Sequence, residues 1–396
     1  MDMQHTPDAK RASSEAEPRR RIASRPSPVV ASVASPDAAP AAPAATDMTP
    51  ADAARIAIRI IDELDAALAC PRNVVELAVA TFIAGGHLLL EDVPGVGKTT
   101  LARAIGRAFD LDVSRIQCTP DVTPADLTGV NVWSQAEERF VLHRGPLFAD
   151  IVIADEINRT TPKTQSAMLE AMSEGRISID GVTHTLSHAY FVIATQNPIE
   201  LEGTYALPEA QLDRFTARTA FGYPDAHTET AMLTAKDWAH PLDRIHRVCT
   251  RDEAMTLRRT VRNVTLAEPV AAYLVAITTA TRERRGIRYG ASPRASLQLA
   301  ALARATALMD GRGWVTPDDV RANAVAALAH RLVLTDWSMT GVGMTGVGMS
   351  GDGGESGTDF GMDGFDVLGV LGDGGRYEAA RVVIEDILRT TPAPRA

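Results

Sequence analysis

The sequence predicts an α/β fold: a parallel sheet flanked by helices, followed by an all-helical domain. Three observations predict it. Short, almost wholly apolar runs at His87–Leu90, Ile151–Ala154 and Tyr190–Thr195 alternate with helical stretches, as strands covered on both faces do. The first run leads into Gly95-Val96-Gly97-Lys98-Thr99-Thr100 and then Leu101-Ala102-Arg103-Ala104-Ile105. Strand, glycine loop and helix in that order make a phosphate-binding loop. Beyond Tyr223 the apolar residues recur at spacings of three and four, the period of helices.

Elements follow in order from Ala51: two helices, the strand His87–Leu90, the glycine loop, a helix Thr99–Phe109 and a strand Val113–Gln117. A polar, hairpin-like segment lies between Gly129 and His143. Then come strand Ile151–Ala154, helix Pro162–Glu174, hairpin Arg176–Leu186, strand Tyr190–Thr195, helix Pro208–Asp213 and a short strand near Thr216–Ala220. Helices are expected at Ala226–Trp238, Arg251–Val261, Glu268–Thr281, Pro293–Met309, Pro317–His330 and Tyr377–Leu388. Thr49-Pro50, Thr123-Pro124 and Thr316-Pro317, each with Asp at the third helical position, read as capped helix starts, as do Thr161-Pro162 and Ser292-Pro293.

Composition narrows the function. The 396 residues allow two domains with full cores. A net charge of −10 argues against a chain built to sit on phosphate backbones. Cys70, Cys118 and Cys249 show no paired spacing and read as reduced thiols of a cytoplasmic protein. The nine histidines form no ligand set, and no apolar run approaches the length of a membrane span. Residues 1–50 read as a disordered Ala/Pro-rich arm and 51–222 as the nucleotide-binding core. Residues 223–337 read as a helical lid, 338–375 as a Gly/Met/Asp-rich flexible insert and 376–396 as the last lid helix and tail.

The chemistry gathers at strand ends, where ligands of such sheets bind. Backbone amides of Gly95, Val96 and Gly97 would curl around phosphate, Lys98 would reach the β- and γ-phosphates, and the Thr99 hydroxyl would ligate magnesium, with Thr100 next along the helix start. Asp92 stands where the first glycine of the full pattern is expected. The strand Ile151–Ala154 ends in Asp155-Glu156: Asp155 to hold the metal, Glu156 to take a proton from water. Asn197, after the third strand, can orient that water. Arg214 and Arg294 are the arginines left to neutralise transition-state charge. Arginine supplied by a neighbouring subunit raises phosphoryl transfer about 10³–10⁵-fold, which is a reason for a ring with the site between subunits. Arg294, on the lid, would sense nucleotide of its own chain.

Six segments in order resemble the MoxR family of AAA+ ATPases: Gly95–Thr99, Asp155–Arg159, Pro162–Ser166, Thr195–Pro198, Leu207–Phe215 and Ser292–Ala295. The likeness covers about Ala51 to Leu334 and the last helix. It implies a P-loop AAA+ core with an all-helical lid, ATP and Mg²⁺ as cofactors, and a homo-oligomeric, hexameric ring. In family terms Lys98 and Thr99 are Walker A, Asp155 and Glu156 Walker B, Asn197 sensor 1, Arg214 the arginine finger and Arg294 sensor 2. The two inserts, Gly129–His143 and Arg176–Leu186, project toward the pore or face of the ring. Relatives are chaperone-like, using ATP to remodel or mature partner complexes, often with a von Willebrand factor A domain protein. The alternatives are a metal-chelatase-like motor subunit, a nucleic-acid-dependent AAA+ motor and a nucleotide-gated binding protein with little turnover.

Overall fold

A computed structural model describes residues 48–91, 97–197, 204–222, 226, 229–230, 241–335 and 373–394. Most of the expected arm, most of the expected insert, most of the expected helix Ala226–Trp238 and loop residues Asp92, Gly95 and Val96 lie outside them.

Two helices come first, α1 (Pro50–Ala67) and α2 (Arg72–Ile83), then β1 (Leu88–Glu91), α3 (Lys98–Ala108) and β2 (Val113–Gln117). A single turn, α4 (Pro124–Thr128), opens the hairpin β3 (Gly129–Ser134) and β4 (Arg139–Arg144). Next are β5 (Ile151–Asp155), α5 (Pro162–Glu174), the hairpin β6 (Arg176–Ile179) and β7 (Val182–Thr185), and β8 (Phe191–Gln196). The short α6 (Glu209–Leu212) and β9 (Ala217–Thr219) complete the sheet region. The second half holds α7 (Arg251–Thr260), α8 (Glu268–Glu283), β10 (Ile287–Tyr289), α9 (Pro293–Met309), α10 (Pro317–Leu328), β11 (Val333–Leu334) and α11 (Asp373–Thr390).

The sheet runs β2-β5-β8-β1-β9 and every pairing in it is parallel. Alternation explains its apolar strands. Leu88, Leu90, Ile151, Ile153, Phe191 and Ile193 face one core with α1, α2 and α3. Leu89, Val152, Ala154, Val192 and Ala194 face a second core with Met168, Leu169 and Met172 of α5. With both faces buried, no position in these strands is left for polar alternation. Phe82 packs on Phe109 and Phe191 at centroid distances of 4.5 and 5.6 Å. Each such ring contributes about 2–3 kcal/mol by leaving water.

The caps form where the sequence puts them. Thr123 and Thr316 make full capping boxes with Asp126 and Asp319, while Thr49, Thr161 and Ser292 accept backbone amides. Among the described residues, the helical half departs from expectation in holding short strand pairings. β10 and β11 form an antiparallel two-stranded ladder, too short for its period to register among alanine-rich helices. The segment expected as a polar hairpin pairs as one, but it exposes Val130, Val132, Trp133 and Phe140. No described helix is long and apolar enough to cross a membrane.

Polar contacts join the halves. The Ser292 hydroxyl caps α9 and also donates to Asp213 at 2.8 Å. The Arg331 guanidinium reaches the same carboxylate oxygen at 3.1 Å. Asp150, buried before β5, takes both nitrogens of the Arg251 fork at 2.5 and 2.6 Å. Burial lowers Arg331 to about 10, against the opposing pull of Asp213, so it stays charged at neutral pH.

Candidate nucleotide site

The carboxyl ends of β1, β5 and β8 meet at one place. Gly97 precedes α3 with φ +96°, a left-handed conformation that a side chain disfavours. It delivers Lys98 and Thr99 as the first residues of the helix, whose N-terminus carries partial positive charge. Lys98 Nζ donates to the Gln196 carbonyl at 3.4 Å. The Thr99 hydroxyl donates to Asp155 Oδ2 at 3.1 Å. Thr195 lies 3.4 Å from the other Asp155 oxygen. Asn197 is buried directly after β8.

Glu156 turns the chain out of β5 with φ +57°, an uncommon state for a residue other than glycine. Its amide donates to Thr195 Oγ1 at 2.9 Å, which ties the turn to β8. Its carboxylate receives Arg159 at 2.9 Å and the Gln117 amide at 3.4 Å. Gln165, fully buried in α5, donates to the carbonyls of Ile157, Thr160 and Tyr205. It fixes the loop that follows the acids and accounts for the sequence segment around Pro162–Ser166 in structural terms. Beside the acids, burial and then the charges of Asp155 and Glu156 push the Cys118 thiol up to about 12. It is therefore a neutral filler.

Sequence reasoning named Lys98, Thr99, Asp155, Glu156 and Asn197, and the structure gathers them. It missed three neighbours. Arg115 Nε donates to Asp155 Oδ2 at 2.6 Å, and its Nη2 reaches Gln117 Oε1 at 2.9 Å. Glu91, the last described residue before the loop, forms a buried ion pair with Arg218 of β9, which stacks 4.1 Å from the Tyr377 ring of α11. The signal for Arg115 and Gln117 was their two-residue spacing in a strand, which puts both on one face.

Arg214 and Arg294 are elsewhere. Arg214 Nη1 donates to Ser173 at 2.9 Å and to the Leu169 carbonyl, both on α5. With Arg294, Leu297, Gly86, His87 and Met172 it lines a cavity of about 270 Å³. His87 immediately precedes β1, so this cavity lies at the amino end of that strand. Lys98 follows the carboxyl end, about 13 Å along at ordinary strand rise. Arg294, expected to sense the nucleotide of its own chain, lines this cavity beside Arg214. The Ser292–Asp213 bond pins the start of α9 there.

The donor set fits a small hard cation held beside phosphate. Thr99 and Asp155 offer two oxygens from neighbouring elements. The described residues hold no cluster of three or more acidic, histidine or cysteine side chains that could bind a metal without such help. A cation such as magnesium, which takes one or two protein ligands and the rest from phosphate and water, would suit these two oxygens.

A parallel sheet of this order, with a glycine-led helix and paired acids at adjacent strand ends and a helical domain behind, defines a P-loop ATPase with a lid. Residues 87–217 match the ATPase family associated with various cellular activities (AAA), and residues 279–345 match the AAA lid domain. The chain is 43% identical over 276 residues to YeaC of Bacillus subtilis, an uncharacterized protein, covering 70% of this chain and 86% of that one. It is 39% identical over 290 residues to Chaperone MoxR1 of Mycobacterium tuberculosis, covering 70% and 75%. A crystal structure from Cytophaga hutchinsonii, named as a candidate ATPase, superposes with a TM-score of 0.71 at 30% identity, covering 87% of this chain and 96% of its own. The chain belongs to the MoxR family of AAA+ ATPases.

Proposed function

We propose that the chain is a chaperone-like ATPase that works as a homo-oligomeric, hexameric ring and remodels or matures a partner protein complex. The observation that carries the ATP chemistry is the Thr99–Asp155 contact at 3.1 Å, with Lys98 and Glu156 beside it. Lys98 binds the β- and γ-phosphates, and Thr99 and Asp155 hold Mg²⁺. When bound, the metal neutralises phosphate charge. Glu156 accepts the proton of the attacking water, and Asn197 orients that water. Glycine-loop residues Gly95, Val96, Gly97 and Thr100 cradle phosphate through their amides.

Arg214 completes the site of an adjacent copy. Supporting this, it lines a cavity with Arg294 and the exposed Leu297 at the amino end of β1, the end away from Lys98. Arg294 then acts beside Arg214 on the neighbour's nucleotide.

Protein remodelling is supported by the relative named a chaperone and by the exposed Trp133–Phe140 pair on the β3–β4 hairpin. The adaptor is a von Willebrand factor A domain protein, on the strength of the family resemblance. The reading places the ring in the cytoplasm, in keeping with three unpaired cysteines. The Glu156→Gln protein, loaded with ATP, should capture partner proteins that ADP releases. Identical capture with and without nucleotide would contradict the remodelling role. Turnover stimulated strongly by DNA or RNA would favour the nucleic-acid motor, which the net charge of −10 disfavours.

A further inference from the structure

Asp155 is already occupied by a cation that belongs to the chain. Arg115 Nε sits 2.6 Å from Asp155 Oδ2, the same oxygen that the Thr99 hydroxyl reaches at 3.1 Å. The pairing follows from the sheet. β2 and β5 are parallel neighbours, with Arg115 opposite Ile153 and Gln117 opposite Asp155. The Arg115 side chain therefore runs along the sheet from mid-strand to the carboxylate at the strand end. Asp155 is 8% exposed whereas Arg115 is 44% exposed, so the acid is fixed and the cation has room to move. A second seat is at hand, since Arg115 Nη2 already bonds Gln117 Oε1 at 2.9 Å on the outer side.

We propose that Arg115 is the resident counter-cation of Asp155 in the metal-free chain, and that it sets how tightly the site holds a divalent cation by competing for that carboxylate. The proposal rests on the nucleotide reading above. A buried carboxylate without a counter-charge is costly, and the Arg115 ion pair removes that cost. For Asp155 to face a divalent cation brought by a nucleotide, the Arg115 guanidinium would have to yield and fall back on Gln117. Metal and nucleotide then enter together, because the cation alone gains too few ligands to offset the displaced arginine. Arg115 is a positioning residue: it touches Asp155, not phosphate.

The test is Mn²⁺ binding, read by electron paramagnetic resonance, with and without a non-hydrolysable ATP analogue. Charges of +1 and +2 some 6 Å apart repel enough, even at the dielectric of water, to change affinity roughly tenfold. Arg115→Gln should therefore bind Mn²⁺ about tenfold or more tightly, with the largest gain when the analogue is absent. Arg115→Lys keeps the charge and should stay near wild type, and its melting curve guards against a folding artefact. Arg115→Gln with unchanged or weaker Mn²⁺ binding, in protein that still takes up the analogue, overturns this proposal alone. A wild-type chain that takes up neither analogue nor Mn²⁺ overturns the nucleotide reading and this proposal with it.

Discussion

The Thr216 amide donates to the His87 carbonyl at 2.8 Å, and this bond fixes where Arg214 can act. It starts β9 alongside the amino end of β1, so the residues just before Thr216 fall at the foot of the sheet. Gly86 is needed there, since a side chain would collide with Thr216. Lys98 and Thr99 follow the other end of β1. Arg214 and Lys98 are thereby held toward opposite ends of one strand, which is why the proposed function brings them together from two copies.

Glu156→Gln should bind ATP with near-native affinity and lose turnover by about 10²–10⁴-fold, the usual weight of a general base. Equilibrium binding and steady-state phosphate release measure the two quantities separately. Native turnover in this variant would remove Glu156 from its role.

Asp155→Asn should raise the Mg²⁺ concentration needed for half-maximal ATP turnover by tenfold or more, because a neutral amide is a poorer ligand for a hard cation. A Mg²⁺ titration at saturating ATP reads this directly. An unchanged requirement would show that Asp155 does not hold the metal.

His87 makes stability pH-dependent. Its Nδ1 accepts the Val192 amide at 3.0 Å, and its Nε2 faces the Met172 carbonyl at 3.1 Å, which fits the neutral ring. Burial lowers it to about 4 from 6.5. Between those values the unfolded chain binds the proton and the folded chain does not. Stability is therefore complete above about pH 6.5 and falls as pH drops toward 4, by up to about 3 kcal/mol. His330, also held well below its ordinary value by burial, acts in the same direction. Urea unfolding at pH 7 and pH 5 should show a smaller loss in His87→Gln than in wild type; equal losses would contradict the assignment.

Arg251→Ala should destabilise the fold by about 1–3 kcal/mol, since it strips the forked partner from buried Asp150. The half-exposed arginine keeps the figure at the lower end. A melting temperature within error of wild type would contradict a role for this pair in joining the halves.

Much of this was legible in the sequence, for a local reason. Leu88–Leu90, Ile151–Ala154 and Phe191–Ala194 read as buried strands because both faces are covered, and Lys98, Thr99, Asp155 and Glu156 are adjacent to those strands in the chain. What was not legible depends on contacts distant in sequence. The start of the helix that carries Arg294 is tied by Ser292 to Asp213, 79 residues earlier, a contact no local pattern announces. Arg115 meets Asp155 only through strand order, and Glu91 meets Arg218 only because β9 adds beside β1. The β10–β11 ladder joins segments separated by more than forty residues.

The most direct test mixes two inactive proteins. Lys98→Ala lacks the phosphate grip but carries Arg214; Arg214→Ala keeps the grip and lacks the arginine. Each alone should hydrolyse ATP at a small fraction of the wild-type rate. Mixed at concentrations where the chain assembles, they should recover measurable hydrolysis, because intact halves of the site meet across a subunit boundary. Full activity of Arg214→Ala on its own, or no recovery in assembled mixtures, would contradict a site shared between copies.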